Sequence, residues 1–317
     1  MPASGETATG ILVGVDASVP GPAGSGQVDP QSPDGTLKTR KRKSGHGARA
    51  KPRMGMPLRK GRSANKAMKA VVLRHAASFA GHLDRLQQDK GEEGAHQTRV
   101  AIRRLRATIT AMAPIIRPAL RRALTRDLRA LFRQIGVLRD AEVLADLYHD
   151  SPDAAALTEK TRQIGHDLRE TLRACRADRL PRRIEAAFAG KSWRRTSRRY
   201  PVERLAKRAL DASWDKALAH GPDLAALPIA GQHDLRKSLK VFRYMAEDFA
   251  SIWPSSATAP FLTPLRALQE ELGLLNDLSL AEAAGLPADP ARRATLLARA
   301  AALWRALHAT VPWWRQA

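Results

Sequence analysis

Two stretches of this chain repeat each other in one register, and that repetition restricts the fold more than any other feature. His96-Gln-Thr-Arg99-Val-Ala-Ile-Arg103-Arg104-Leu105-Arg106 lies over His233-Asp-Leu-Arg236-Lys237-Ser-Leu-Lys240-Val-Phe-Arg243, 137 residues later. Leu128-Arg129-Ala-Leu131 through Ile135-Gly136 to Arg139-Asp140 lies over Leu265-Arg266-Ala-Leu268 through Leu272-Gly273 to Asn276-Asp277, again 137 residues later. Two separate motifs that keep one offset across a turn region mark an internal duplication. A weaker echo sets Ala77-Ser78-Phe79 over Ala212-Ser213-Trp214 at an offset of 135, which predicts a loop changed in length by two.

Whatever the unit is, it is helical. From Ser63 onward the apolar residues recur at three and four, and no strand signal appears. The spacing predicts helices over 63–89, 95–115, 119–149 and 153–188, then over 202–220, 231–252, 261–283 and 289–311. Breakers punctuate them: Gly91 and Gly94, Pro114 and Pro118, Pro152, Pro201, Gly221 to Pro228, Pro254 to Pro260, and Pro287 with Pro290. The expected fold is therefore all-α: two tandem four-helix bundles, 63–188 and 202–311, joined by a linker near 189–201. Residues 1–60 are rich in Gly, Pro, Ser and Ala without an apolar period, a composition that predicts a disordered tail.

Charge narrows the partner. The chain carries 54 Lys and Arg against 31 Asp and Glu, a net +23, and such an excess attracts polyanions. The tail holds 10 Lys and Arg against 4 Asp and Glu, including the block Lys38 to Lys43, so +17 belongs to residues 61–317. Aromatic residues make up only 5%, too few for a base-stacking platform. Cys175 is the only cysteine, so no internal disulfide and no cysteine metal site can form. No apolar run reaches the length of a membrane span, and a cytoplasmic protein is expected.

Placed on a helix, the first motif separates into two stripes. His96, Arg99, Arg103 and Arg106 fall within an arc of roughly 80°, while Ile102, Leu105, Ile109 and Met112 lie roughly 120° away. The second motif repeats the division, with His233, Arg236, Lys240 and Arg243 in one column and Leu235, Leu239, Phe242, Ala246 and Phe249 on the core face. A solvated charged face is the ordinary explanation for such cations. Against it, like charges at these spacings cost about 0.2–0.5 kcal/mol per pair, no Glu interrupts either column, and the spacing occurs twice.

These motifs, in this order, resemble the CHAD family, the conserved histidine α-helical domain. The first repeat is matched by His96, Arg99, Arg103, Arg104, Arg106 and the Gly136 to Asp140 segment; the second is matched by His233, Arg236, Lys237, Lys240, Arg243, Tyr244 and the Leu272 to Asp277 segment. The resemblance covers about 63–311. It implies two bundles related by a pseudo-twofold axis, basic helices facing a common groove or pore, binding of inorganic polyphosphate and association with polyphosphate granules. It implies as ligand residues His96, Arg99, Arg103, Arg106, His233, Arg236, Lys240 and Arg243, with Arg104, Lys237 and Tyr244 as contributors. Ile135 replaces the usual Leu before Gly136. Asp140 and Asp277 read as structural, pairing with an Arg of a facing helix or holding a turn.

Catalysis is not expected, and neither is a cofactor or a bound metal. No Gly-x-x-x-x-Gly-Lys-[Ser/Thr] loop is present, nor the Glu-x-Glu-x-Lys signature of the CYTH triphosphatases that often accompany this family. His149-Asp150, His166-Asp167 and His233-Asp234 invite a metal-dependent phosphohydrolase reading, which would need further ligands converging on one ion. The rival to polyphosphate is non-specific binding of nucleic acid, with the basic tail as the expected DNA contact. No helix-turn-helix or zinc motif is legible.

Overall fold

The computed structural model describes residues 58–316 except 90–92, 148, 151, 153, 191 and 284–288; the expected disordered tail, with its basic block, lies outside the described residues. The first repeat contributes α1 (Ala64–Gln87), α2 (Gly94–Ala111), α3 (Pro118–Leu147), α4 (Ala154–Ala174) and α5 (Arg179–Ala189). The second contributes α6 (Val202–Leu218), α7 (Ile229–Phe249), α8 (Ser255–Ala283), α9 (Pro290–Ala309) and the short α10 (Trp313–Gln316). Only isolated bridges, and no strand, occur among the described residues. Within each repeat the helices pack in chain order, α1 on α2 on α3 on α4 and α6 on α7 on α8 on α9. Between repeats, α1 meets α6 and α2 meets α7. Equivalent helices facing each other is what a twofold relation requires.

The backbone carries the same relation in reciprocal form. Ala64 N–H donates to the Tyr200 carbonyl at 2.8 Å, and Val202 N–H donates to the Arg62 carbonyl at 2.9 Å. The two donors, Ala64 and Val202, are 138 residues apart, as are the two acceptors, Arg62 and Tyr200, so the entry to α1 and the entry to α6 clasp each other symmetrically. Burial extends that register along the helices. Val202, Leu205, Ala206, Ala209, Leu210, Ser213, Trp214 and Ala217 are buried on α6. Each lies 138 residues beyond a buried position on α1: Ala64, Ala67, Met68, Val71, Val72, His75, Ala76 and Phe79. The 135-residue echo is therefore a wrong alignment. At the 138-residue register Phe79 corresponds to Ala217 and Trp214 to Ala76, so a large ring in one core stands where the other has a small side chain.

Three boundaries also differ from the sequence reading. The helix expected over 153–188 is two helices, α4 and α5. Arg176 adopts φ +50°, and Ala177 N–H reaches back to the Leu172 carbonyl at 2.9 Å, closing α4 as a glycine normally would. Pro260 does not delimit α8; it lies inside the helix, together with Pro264. Each proline costs about 3 kcal/mol in a helix interior, and burial of Phe261, Leu262 and Leu265 beside them, at roughly 1.5–3 kcal/mol apiece, offsets that. Finally, the folded part extends past 311. Trp313 and Trp314 are buried among Phe242, Phe261 and Trp253, and Trp314 Nε1 donates to Asp211 at 2.9 Å. The expected linker is likewise pinned: Trp193 bridges to Ile116, and Arg194 N–H donates to the Ile115 carbonyl.

A buried polar junction ties the repeats together. His75 Nε2 donates to Asp248 Oδ1 at 2.8 Å and Thr108 Oγ1 donates to Asp248 Oδ2 at 2.7 Å, joining α1, α2 and α7. Arg74 approaches the same carboxylate at 3.5 Å. Removing the carboxylate strands two buried donors, so Asp248→Ala is expected to destabilise the fold by about 3 kcal/mol. Urea unfolding measures this, and Asp248→Asn should lose less, since its amide oxygen still accepts.

Candidate anion-binding site

The cation columns lie on α2 and α7, which pack directly against each other. Their core stripes set the orientation: Ile102, Leu105 and Ile109 on α2 and Leu235, Leu239, Phe242 and Ala246 on α7 are fully buried. That leaves the columns half-buried on the flank of the pairing. The columns are close enough to act on one another. Arg103 lowers the pKa of Arg236 and of Lys240, and Lys240 in turn lowers that of His96. Seven of the expected residues, His96, Arg99, Arg103, Arg106, His233, Arg236 and Lys240, thus form one electropositive region spanning both repeats.

Helix α3 supplies the support for the first column. The guanidiniums of Arg99, Arg103 and Arg106 stand 4.3, 5.3 and 5.9 Å from the centre of the Phe132 ring. Phe132 and Gly136 are one turn apart on the same face of α3, and a Cβ at Gly136 would stand 2.5 Å from Arg99 Nη1. A bare backbone there lets the guanidinium settle beside the ring. At the equivalent Gly273 a Cβ would meet nothing within 4 Å. Gly136→Ala should therefore push Arg99 off Phe132 and weaken anion binding severalfold while the helix gains up to about 1 kcal/mol from the better helix former. Gly273→Ala should gain the same stability and bind normally, and melts paired with a binding titration separate the two effects.

The second column lacks that prop. Gln269 occupies the place of Phe132 and donates its side-chain N–H to the Leu239 carbonyl at 2.7 Å. The buried Nε atoms of Arg106, Arg236 and Arg243 find no acceptor among the described residues. Desolvation, then the neighbouring guanidiniums of Arg236 and Arg103, pushes the Lys240 amine from 10.5 down to about 7, with Asp277 opposing. Burial also lowers His96, next to Arg139, and His233, next to Lys237. His233 Nδ1 donates to Asn276 Oδ1 at 2.8 Å, fixing its ring. Asp140 and Asp277 act electrostatically on the columns: Asp140 favours the charged form of Arg99, and Asp277 that of Arg236, each against the effect of burial.

The remaining expected residues are placed differently. Arg104 and Arg243 pair with Glu247 at 2.9 and 3.0 Å and flank the buried Tyr244 ring at 4.8 and 5.2 Å. This trio clips α2 to α7, and Tyr244 is only 4% exposed. Lys237 stands at the column's edge beside His233, pairs with Asp234 at 3.0 Å and rims a separate cavity. Conversely, Phe132, Arg129 and Arg139 belong to the site although they stand outside the columns. Beside the larger effect of burial, Arg129 lowers the pKa of Arg106 and Arg139 that of His96. Their signal lay in the second motif, where Arg129 and Arg139 were motif positions given no binding role and Phe132 stood between the repeated residues. Among the described residues no three His, Cys, Asp or Glu side chains group as metal ligands.

Comparison with known proteins agrees with this architecture. The CHAD domain family matches residues 70–285, more than half of the chain, and the chain belongs to that family. It is similar to the CHAD domain of the plant Ricinus communis, at 22% identity and a TM-score of 0.61, covering 81% of this chain and 96% of that one. It is also similar to PptA from Streptomyces chartreusis, at 16% identity and a TM-score of 0.51, covering 78% and 96%. At these identities the likeness speaks for the fold. No curated protein matches the chain. No described helix is long and apolar enough to cross a membrane.

Proposed function

We propose that this protein binds inorganic polyphosphate across the α2–α7 pairing and acts as a binder, not as a catalyst. The observation that carries the reading is the convergence of two cation columns, one from each repeat, on a single region with buried guanidinium nitrogens still lacking acceptors. A chain of phosphates offers many acceptors and about one charge per residue with no bases to read. Charge-assisted contacts of this kind contribute roughly 1.5–3 kcal/mol each. Affinity for a long polyanion would carry the protein to polyphosphate granules.

Competition tests it. Long polyphosphate and double-stranded DNA of equal total charge compete for the full-length protein at fixed salt. Polyphosphate is expected to displace DNA at well below equivalent charge. Equal displacement would instead indicate a general polycation with nucleic acid as a natural partner.

A further inference from the structure

We infer that the cavity between the C-terminal end of α2, α6 and α7 is a second binding site, for a single-chain amphiphile with an anionic head. Its volume is about 550 Å³, within the range of small-molecule sites, about 300–1,000 Å³. The floor is apolar, made by Ala111, Pro114, Ala209, Ala212, Val241 and Met245. Four cations, Arg194, Arg208, Lys216 and Lys237, stand around it, and no carboxylate lines it. Lys237 holds Asp234 outside the cavity; both side chains are well exposed.

The duplication shows that this space is not an accident of packing two helical units. At the registers given above, the equivalent region of the other half lies between the end of α7, α1 and α2, and larger, charged side chains stand in it. Where the cavity has Ala212, the other half has Arg74; Thr110 corresponds to Glu247, Ala111 to Asp248 and Val241 to Arg104. Those larger residues are the ones that pair there, Arg74 with Asp248 and Arg104 with Glu247. One half thus plugs the groove with an internal ion network, while the other keeps small and apolar residues in it and cations around it. An aliphatic chain suits the floor, and a carboxylate or phosphate head suits the rim. With no aromatic side chain in the lining, a nucleobase would find nothing to stack on.

Titration of full-length protein with decanoate, below its micelle concentration, is expected to reveal one saturable site. The double variant Val241→Arg with Thr110→Glu transplants the Arg104–Glu247 pair of the other half and should abolish decanoate binding while leaving polyphosphate binding intact. Arg208→Gln with Lys216→Gln leaves the floor unchanged; it should weaken decanoate at least about tenfold, as loss of a charge-assisted contact does, and leave decanol unaffected. Absence of decanoate binding overturns the proposal. So does saturable binding that both variants leave unchanged, or association with phosphatidylglycerol vesicles but not with the free amphiphile, which would make the surface a membrane contact.

Discussion

Replacing Arg99 and Arg103 together with Ala is expected to weaken long-chain polyphosphate binding by about 3–6 kcal/mol, two contacts at roughly 1.5–3 kcal/mol each. Arg236→Ala with Lys240→Ala should do about the same, because a long polyanion crossing the α2–α7 pairing engages both columns at once. Each half-site then raises the effective concentration at the other. The slope of log affinity against log salt should fall by about one to two units in either variant, since fewer counterions are released. The two pairs should differ in stability. Arg99 and Arg103 lie against Phe132, and their loss uncovers that ring. Arg236 and Lys240 are desolvated beside like charge, so removing them should raise the melting temperature of the free protein while impairing binding. That opposition marks a site held at the expense of stability. Arg121→Ala with Arg122→Ala removes equal charge outside the columns and should change little. Equal loss in all three double variants would reduce the binding to net charge and end the case for a defined site.

How far the sequence reached depended on what kind of signal each feature leaves. The helices of each unit and the duplication were legible because burial imposes a period of three and four, and because His, Arg and Gly recur at one offset. The α1–α6 register was not. It rests on which positions are buried, and the identities there have exchanged size: Phe79 corresponds to Ala217 and Ala76 to Trp214. The break between α4 and α5 was hidden because an arginine, Arg176, takes the left-handed position where glycine would announce it. Pro260 announced a break that core packing overrides.

The site shows the same split. Columns on one helix are readable, since their geometry is local. Their division of labour is not, since it depends on neighbours distant in sequence. Glu247 takes Arg243 out of the open column and holds Arg104 beside it. Phe132 organises three arginines from a different helix, and nothing in its own segment distinguishes it from core. The His75–Asp248 junction joins residues 173 apart, and neither residue carries any local pattern that would single it out.

The affinity for polyphosphate should fall as pH rises through neutrality, and Lys240 sets the midpoint. Its free-state pKa is about 7, whereas a bound polyanion restores a favourable environment for the ammonium and raises it. Binding therefore takes up a proton above pH 7. Log affinity should decline there with a slope approaching −1, so up to about tenfold per pH unit, until the bound-state pKa is reached. Below pH 7 the amine is already charged and its contribution is flat. His96 and His233, both depressed below 6.5 by burial, then add a further gain as they protonate against phosphate in more acidic solution. Stability of the free protein moves the other way. Above pH 7 the unfolded chain keeps its lysine protonated while the folded one does not, so the unfolded state binds more protons and folding stability rises with pH up to the ordinary lysine value. Lys240→Arg keeps the charge and should flatten the binding profile above pH 7; Lys240→Met should flatten it too, at the low-affinity level. Calorimetric titrations in buffers of different ionisation heat read the proton uptake directly. A profile in the Lys240→Met variant that still falls above pH 7 would assign the titration to another group.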